Sequence, residues 1–201
     1  VIKSIDEYYI LISNLEKTFY LSYSKKIIEK QIEIINNLSD IEHKIDLINE
    51  AAKRLGISII KSEVHDAASV DESLLGKADR VLVDAPCTGY GIIRKKPDIK
   101  WARTVTDIKE ITDLQFKILS AASKYVKPGG SIVYSTCTIE REENRDLVER
   151  FLADNKDFEF EEIDRLLPEV LKEYSGKGYI ELYPNINGID GFFIAKMKRR
   201  G

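Results

Sequence analysis

The chain contains two cysteines, Cys87 and Cys137, and their surroundings are rich in groups that do chemistry. Cys87 lies in the run Asp84-Ala85-Pro86-Cys87-Thr88-Gly89, and Cys137 lies in Ser135-Thr136-Cys137-Thr138. A thiolate is a strong nucleophile, and a nearby carboxyl can give or take a proton. A single cysteine is more often a small buried apolar residue. Two cysteines, each followed by threonine, favour a reactive site.

The motifs of both cysteines follow runs that are predicted to be strands. Asp79–Val83 and Ser131–Ser135 are continuous runs with β-branched residues, as expected for strands that are buried on both faces. Apolar residues at helical spacing predict a helix from about Asp107 to Tyr125, which Lys127-Pro128-Gly129-Gly130 ends. In open α/β sheets, ligands bind at the carboxyl ends of the strands. We therefore expect both cysteines at one edge of the sheet, on neighbouring strands.

The rest of the chain continues this alternation, which predicts an α/β fold: an open, mostly parallel sheet with helices on both faces. Helices are predicted from Ile41 to Leu55 and over Glu142–Asn155. The further predicted strands are Tyr8–Ser13, Ile32–Leu38, Ile57–Lys61, Phe158–Ile163 and Gly191–Met197. An all-helical N-terminal part is the alternative to its strands. The stretch from about Leu166 to Asn187 shows no clear pattern.

Composition narrows the possible classes of protein. The 201 residues, 43% hydrophobic and 32% charged, are enough for one α/β domain with its own core. The longest apolar runs are too short to cross a membrane, and two cysteines fit a reducing cytoplasm. The net charge of −3 lacks the overall basic character of many nucleic-acid-binding proteins. His43 and His65 lack metal-ligand spacing, so no metal site is predicted. The chain begins with valine, which is compatible with a fragment of a longer protein.

A local cluster of basic residues provides positive charge, although the net charge of the whole chain is negative. Five basic residues surround one acid, Asp98, and the single tryptophan, Trp101; they are Arg94, Lys95, Lys96, Lys100 and Arg103. Basic side chains beside an aromatic ring suit an RNA backbone and a stacked base. The alternative is a solvated loop that Trp101 anchors in the core, and composition alone does not separate the two.

Three aspartates would follow three successive predicted strands: Asp40, Asp66 and Asp84. A carboxylate in this position of a nucleotide-binding sheet typically binds ribose hydroxyl groups. Asp40 also lies in Ser39-Asp40-Ile41-Glu42, which has the spacing of a helix-capping box, and Asp66 could close a turn.

Several of these motifs together resemble the Sun/Fmu family of RNA (cytosine-5) methyltransferases, from about Asp40 to Lys198. They are DAPCTGYG–IIRKKPDIKW, STCTIEREEN and NGIDGFFIAK, in that order. The resemblance implies a class I methyltransferase fold, S-adenosylmethionine as cofactor, and cytosine in RNA, with 16S ribosomal RNA favoured, as substrate. It implies one domain, with residues 1–39 divergent and 40–198 family-like, and a cytoplasmic location.

The resemblance also implies a role for each site residue. Cys137 would attack C6 of a flipped-out cytosine, Asp84 would contact N3, and Cys87 would assist release of the product. Asp40, Asp66 and Asp84 would line the donor pocket. The chemistry is consistent with these roles, because C5 of cytosine becomes nucleophilic only after a nucleophile adds at C6, and C6 is reached only in an unstacked base.

The sequence departs from this family in the first loop. The family has a glycine-rich AAPGGKT-type run there, whereas this chain has Asn14-Leu15-Glu16-Lys17-Thr18 and no glycine before Gly56. Glycine lets backbone N–H groups approach a ligand closely. The alternative hypothesis is therefore a non-catalytic RNA-binding protein that keeps the fold. A thiol redox protein is a further alternative, disfavoured by the 50 residues between the cysteines and the lack of CxxC spacing.

Overall fold

The computed structural model describes residues 31–34, 41–101 and 105–201. Within these ranges, six strands form one sheet: β1 (Gln31–Ile34), β2 (Ala78–Asp84), β3 (Val126–Thr136), β4 (Phe158–Phe160), β5 (Tyr179–Leu182) and β6 (Phe192–Arg199). The longer helices are α1 (Ile41–Arg54), α2 (Val105–Ser123) and α3 (Arg145–Asp154). Two helices of one turn follow, α4 (Glu169–Lys172) and α5 (Pro184–Asn187).

The sheet is mixed, with the order β1-β2-β3-β6-β4, and β5 also pairs with β6. The strands β1, β2 and β3 are parallel, and β6 runs antiparallel to β3, β4 and β5. The register places Asp84 opposite Ser135 at the ends of β2 and β3. Because both strands run in the same direction, the residues that follow them emerge side by side.

The main core lies between this sheet and the helices α2 and α3. Along β6, Phe193, Ala195 and Met197 are buried and alternate with less buried residues, as the two-residue period of a strand requires. From α2, Ile118 and Leu119 are buried in the same cluster. Each large apolar side chain buried in this way stabilises the fold by about 1.5–3 kcal/mol. The core therefore holds the carboxyl ends of β2 and β3 in fixed positions.

Most predicted elements near the cysteines are confirmed, with shifted ends. The predicted helix from Asp107 to Tyr125 is α2, and the last predicted strand is β6. The helix predicted over Glu142–Asn155 begins only at Arg145, because the backbone of Asn144, with φ −109° and ψ −104°, is not helical. The strand predicted at Phe158–Ile163 ends at Phe160.

Three predictions needed correction. The helix α2 ends before residues 127–130, as predicted, but the strand predicted to begin at Ser131 already begins at Val126 and runs through these residues. Gly129 has φ 78° there, and the pairing with β2 shifts between Ala78 and Arg80. Ile57–Lys61 is not a strand, because no described strand lies beside it, and Ile59 and Ile60 are exposed. The irregular stretch near residue 180 contains an unpredicted strand, β5, paired with β6.

The predictions for the N-terminal part are only partly tested. The helix predicted from Ile41 is α1, and β1 matches the beginning of the strand predicted at Ile32–Leu38. The strand predicted at Tyr8–Ser13, its all-helical alternative and the loop at residues 14–18 lie outside the described residues.

Candidate active site

The two cysteines meet at the carboxyl edge of the sheet, although 50 residues separate them in the chain. Their sulfur atoms are 3.3 Å apart, and both side chains are partly buried. The pairing of β2 with β3 continues into the loops, because the Ala85 N–H donates to the Ser135 carbonyl at 3.0 Å. The prediction that the cysteines follow neighbouring strands is therefore confirmed.

The contact between the two sulfurs makes them unequal. As hydrogen-bond donor, the Cys87 thiol lowers the pKa of Cys137 by stabilising its thiolate, although burial and the charges of Asp84 and Glu143 oppose this. The same hydrogen bond, together with burial, raises the pKa of Cys87 well above its ordinary value. Of the two sulfurs, Cys137 is thus the more easily ionised, and Cys87 holds its proton more strongly. We call the two residues the cysteine pair.

Asp84 lies at the end of β2, beside the cysteine pair. Partial burial raises the pKa of its carboxyl, and the hydrogen bond from the Ser135 hydroxyl at 3.2 Å opposes the rise. A carboxyl with a raised pKa is more easily protonated and can then donate a hydrogen bond. Asp84 and the cysteine pair, three of the predicted site residues, therefore share one edge of the sheet.

A buried carboxylate, that of Glu143, lies behind the cysteine pair. It accepts hydrogen bonds from the Thr88 N–H at 3.0 Å, the Thr88 hydroxyl at 2.5 Å and the Thr138 hydroxyl at 3.2 Å. The Gln115 side-chain amide donates to it at 2.8 Å and also to the Pro86 carbonyl at 2.8 Å. We call Glu143, Thr88, Thr138 and Gln115 the carboxylate network. It links the residue after Cys87 to the residue after Cys137.

A second set of hydrogen bonds surrounds Cys137. The Thr136 hydroxyl donates to the Asn144 side-chain oxygen at 2.5 Å, and the Asn144 amide donates to the Thr138 carbonyl at 3.0 Å. The buried Tyr134 hydroxyl donates to the Glu143 carbonyl at 2.8 Å. The turn before α3 is thus fixed against the loop that carries Cys137.

Three loops cross at two glycines close to the cysteine pair. The Gly91 N–H donates to the Cys137 carbonyl at 3.0 Å, and the Gly191 N–H donates to the Gly91 carbonyl at 2.8 Å. A Cβ at Gly91 would lie 2.7 Å from the Cys137 carbonyl oxygen and closer still to that of Gly191. Only glycine allows this approach of backbones.

The predicted RNA-binding residues have different environments. We call residues 94–103 the basic segment. Lys95 pairs with Asp190 at 2.5 Å, and Asp190 is only 4% exposed, so this lysine joins the basic segment to the loop before β6. Arg94, Lys96 and Lys100 are exposed, and Arg103 lies outside the described residues.

Trp101 is not a core anchor, because its side chain is 81% exposed. The Lys100 ammonium lies 5.1 Å from the centre of its ring. The alternative in which the tryptophan anchors a solvated loop is therefore wrong. An exposed indole beside ammonium groups is a suitable surface for stacking a base.

The three aspartates predicted to bind the donor lie in different surroundings as far as the structure describes them. Asp84 is at the site, whereas Asp66 is exposed and accepts a hydrogen bond from the Ala68 N–H at 3.0 Å, which closes its own turn. Asp40 lies outside the described residues.

Two negative findings concern the described residues alone. None of their helices is both long enough and apolar enough to cross a membrane. Within the same ranges, no three side chains of His, Cys, Asp or Glu are grouped in a way that would hold a metal ion.

Sequence reasoning missed the supporting residues of the site. Glu143 lies in the helix predicted over Glu142–Asn155, and Asp190 lies in the motif NGIDGFFIAK. Neither residue was predicted to belong to the site. The repeated Cys-Thr dipeptide was the available signal for the carboxylate network, because it places equivalent hydroxyls beside both thiols. Nothing in the spacing distinguished the buried Glu143 from the exposed Glu142.

The sequence of this chain is similar to those of known ribosomal RNA methyltransferases. The family model described as "16S rRNA methyltransferase RsmB/F" matches residues 17–198. A probable ribosomal RNA small subunit methyltransferase B of Bacillus subtilis is 40% identical over 83% of this chain and 38% of its own length. Ribosomal RNA small subunit methyltransferase B of Shewanella oneidensis is 37% identical over 80% of this chain and 39% of its own length. The chain thus spans less than half the length of these relatives.

The fold is similar to that of solved structures as well. The crystal structure of NSun6 from Pyrococcus horikoshii with SFG superposes with a TM-score of 0.64 at 28% identity, covering 88% of this chain and 50% of that one. The crystal structure of PH0851 gives a TM-score of 0.72 at 31% identity, covering 84% of this chain and 36% of that one. These similarities confirm the predicted class I methyltransferase fold. By sequence and by fold, the chain belongs to the RsmB/F family of 16S rRNA methyltransferases.

Proposed function

We propose that this chain carries the catalytic site of an RNA (cytosine-5) methyltransferase, that its donor is S-adenosylmethionine and that its substrate is small-subunit ribosomal RNA. The observation that carries the proposal is the cysteine pair, whose two sulfurs lie 3.3 Å apart beside Asp84, with the pKa of Cys137 lowered by the contact. Membership of the RsmB/F family supports the choice of RNA.

In the first step, the Cys137 thiolate adds to C6 of a flipped-out cytosine. A sulfur–carbon bond forms, and the electron pair of the C5–C6 double bond moves towards N3, which makes C5 nucleophilic. The raised pKa of Asp84 supports a protonated carboxyl that donates to N3 as this charge develops. The roles of Cys137 and Asp84 are thus complementary.

When bound, S-adenosylmethionine supplies a methyl group on a positively charged sulfur, the electrophile that C5 requires. The described residues fit this donor in their chemistry, because the carboxyl oxygens of Asp66 and Asp84 can accept hydrogen bonds from hydroxyl and amino groups. Asp40 is proposed to contribute in the same way.

In the last step, Cys87 assists breakdown of the adduct. The C5 proton leaves to a base, the C5–C6 double bond re-forms, and the bond between C6 and the Cys137 sulfur breaks. The raised pKa of Cys87 favours its protonated thiol, which lies within contact of the departing sulfur and so can stabilise the thiolate that leaves. Arg94, Lys96, Lys100 and Arg103 are proposed to bind the RNA backbone, and Lys95 contributes charge while paired with Asp190.

The test is methyl transfer to deproteinised 16S ribosomal RNA by the wild type and by Cys137→Ser. We expect the variant to be slower on the order of 1,000-fold or more, because a serine hydroxyl is not ionised near neutral pH. An unchanged rate in a variant with a wild-type melting temperature would contradict the role of Cys137.

Calorimetry with S-adenosylmethionine tests the donor separately. Binding at micromolar concentration is the expected result. A folded chain that gives no heat of binding would instead favour the non-catalytic RNA-binding alternative.

A further inference from the structure

Glu143 is an unusual residue to find buried at this site. Its side chain is completely buried, and burying an ionised carboxylate costs several kcal/mol unless strong hydrogen bonds offset the loss of water. Here N–H and O–H donors from three residues supply them: Thr88, Thr138 and Gln115. Charge-assisted hydrogen bonds of this kind are about twice as strong as neutral ones. The position of the carboxylate is therefore fixed by its partners, and theirs by the carboxylate.

These partners are the immediate neighbours of the cysteine pair. Thr88 follows Cys87, and Thr138 follows Cys137, so one carboxylate holds both loops through equivalent residues. The two threonine hydroxyls also contact each other at 2.8 Å. Gln115 reaches the Pro86 carbonyl, on the other side of Cys87. Among the described residues, the Glu143 side chain donates or accepts no hydrogen bond with either sulfur, so its influence on them is exerted through the loops and through its charge.

We propose that Glu143 is the positioning residue that holds the loops of Cys87 and Cys137 at the separation where one thiol donates to the other. The inference deepens the proposed function, because that contact determines which sulfur attacks cytosine. Without the carboxylate, the buried Thr88 N–H loses its acceptor and the two loops lose their common partner. The sulfurs then move apart and Cys137 becomes an ordinary thiol.

A direct effect of the negative charge must be separated from this positioning role. Cys137 is faced by Cys87, Asp84 and Glu143, and the negative charge of Glu143, like that of Asp84, raises the pKa of Cys137. Removing the charge without moving the loops would therefore make Cys137 ionise at lower pH. Removing the positioning contacts would make it ionise at higher pH. The two roles predict shifts of opposite sign.

The experiment measures the rate of Cys137 alkylation by iodoacetamide from pH 5 to pH 10 in the purified protein without RNA or donor. Each alkylation forms a sulfur–carbon bond and releases iodide, and peptide mass spectrometry separates Cys137 from Cys87. In Glu143→Ala, we expect the midpoint of the profile to move to higher pH, with alkylation about tenfold slower at neutral pH. A folded variant whose midpoint stays in place or moves to lower pH would overturn the proposal.

Two variants make the result specific. Glu143→Gln keeps the shape, because its oxygen can accept from the Thr88 N–H and Gln115 while its amide donates to the two hydroxyls. The midpoint of its alkylation profile should stay at or below that of the wild type. A rise as large as in Glu143→Ala would contradict the positioning role of Glu143. The exposed neighbour provides the matched control, and Glu142→Gln should leave the profile unchanged.

If Glu143→Ala fails to fold, the double variant Thr88→Val/Thr138→Val decides the question. It removes both hydroxyl donors at nearly constant volume, so we expect a rise of the midpoint, and no rise would overturn the proposal. Alkylation needs neither RNA nor donor, so the two hypotheses can fail separately. If Cys137→Ser loses methylation but the alkylation profile of Glu143→Ala is unchanged, this inference alone is rejected. If Cys137→Ser keeps methylation but the profile of Glu143→Ala moves to higher pH, the proposed function alone is rejected.

Discussion

The loops of the cysteine pair and the basic segment lie close together in the sequence but are built in different ways. Around the cysteines, a buried carboxylate, two buried threonines and crossing backbones fix each position. In the basic segment, the side chains of Arg94, Lys96 and Trp101 are exposed. The first region therefore has its geometry before RNA arrives, as a reacting centre requires, whereas the second can adapt to a backbone and a base. Substitutions should damage stability in the first region and affinity in the second.

The largest effect on stability is expected for Gly91→Ala. A Cβ there would collide with the backbone of Gly191 and of Cys137, so the crossing of the three loops must open. We expect a loss of about 3 kcal/mol or more in the free energy of unfolding, measured in urea, because neither backbone can move without breaking hydrogen bonds.

The matched control is Gly129→Ala. Gly129 has φ 78°, but nothing lies within 4 Å of a Cβ at this position. Gly129→Ala therefore introduces only conformational strain, and we expect it to lower the free energy of unfolding by about 1–2 kcal/mol. Equal losses for the two variants would show that the crossing at Gly91 is not tightly packed.

The basic segment contains one structural lysine, and Lys95→Met tests it. The substitution leaves the buried Asp190 carboxylate without its cation, and one of its oxygens already lacks a hydrogen-bond partner. We expect a loss of about 2 kcal/mol in the free energy of unfolding. The exposed neighbour is the control, and Lys96→Met should stay within about 0.5 kcal/mol of the wild type. A Lys95→Met protein as stable as Lys96→Met would refute the structural role of Lys95.

Smaller effects, on RNA affinity rather than stability, are expected for Trp101→Ala. Loss of a stacking surface weakens binding of single-stranded RNA by about 1–3 kcal/mol, and the melting temperature should not change because the ring is exposed. Trp101→Phe should retain most of the affinity. Fluorescence anisotropy of a labelled RNA measures the RNA affinity of the wild type and of both variants. Since Trp101 is the single tryptophan, quenching of the wild-type emission by RNA gives an independent reading. Affinity unchanged in Trp101→Ala would remove the indole from the RNA-binding surface.

The chemistry-bearing residues could be predicted from sequence because their positions depend on local patterns. The apolar runs before Asp84 and Cys137 indicated parallel strands, and parallel strands bring their carboxyl ends together. The exposure of Trp101 could not be predicted, because it depends on which side of a turn faces the core. The pairing of Lys95 with Asp190 joins residues 95 apart and leaves no local signal.

The errors in the fold have similar causes. Ile57–Lys61 has the β-branched composition of a strand, but a strand also needs a neighbour, and no described strand lies beside it. The run Pro128-Gly129-Gly130 is typical of a break between two elements, yet β3 continues through it with an irregular register. β5 was missed because its four residues acquire their structure by pairing with β6, which comes later in the chain.

The most direct test of the proposed chemistry is the covalent adduct itself. Cys87→Ala should still attack cytosine through Cys137, although more slowly because the thiol that lowers the pKa of Cys137 is gone. Breakdown of the adduct should slow as well, since the group beside the departing sulfur is missing. Incubation with 16S ribosomal RNA and S-adenosylmethionine, followed by a denaturing gel, should give a band of slower mobility that disappears after ribonuclease digestion and is absent in Cys87→Ala/Cys137→Ser. A Cys87→Ala protein that methylates RNA at the wild-type rate and forms no such band would contradict the account.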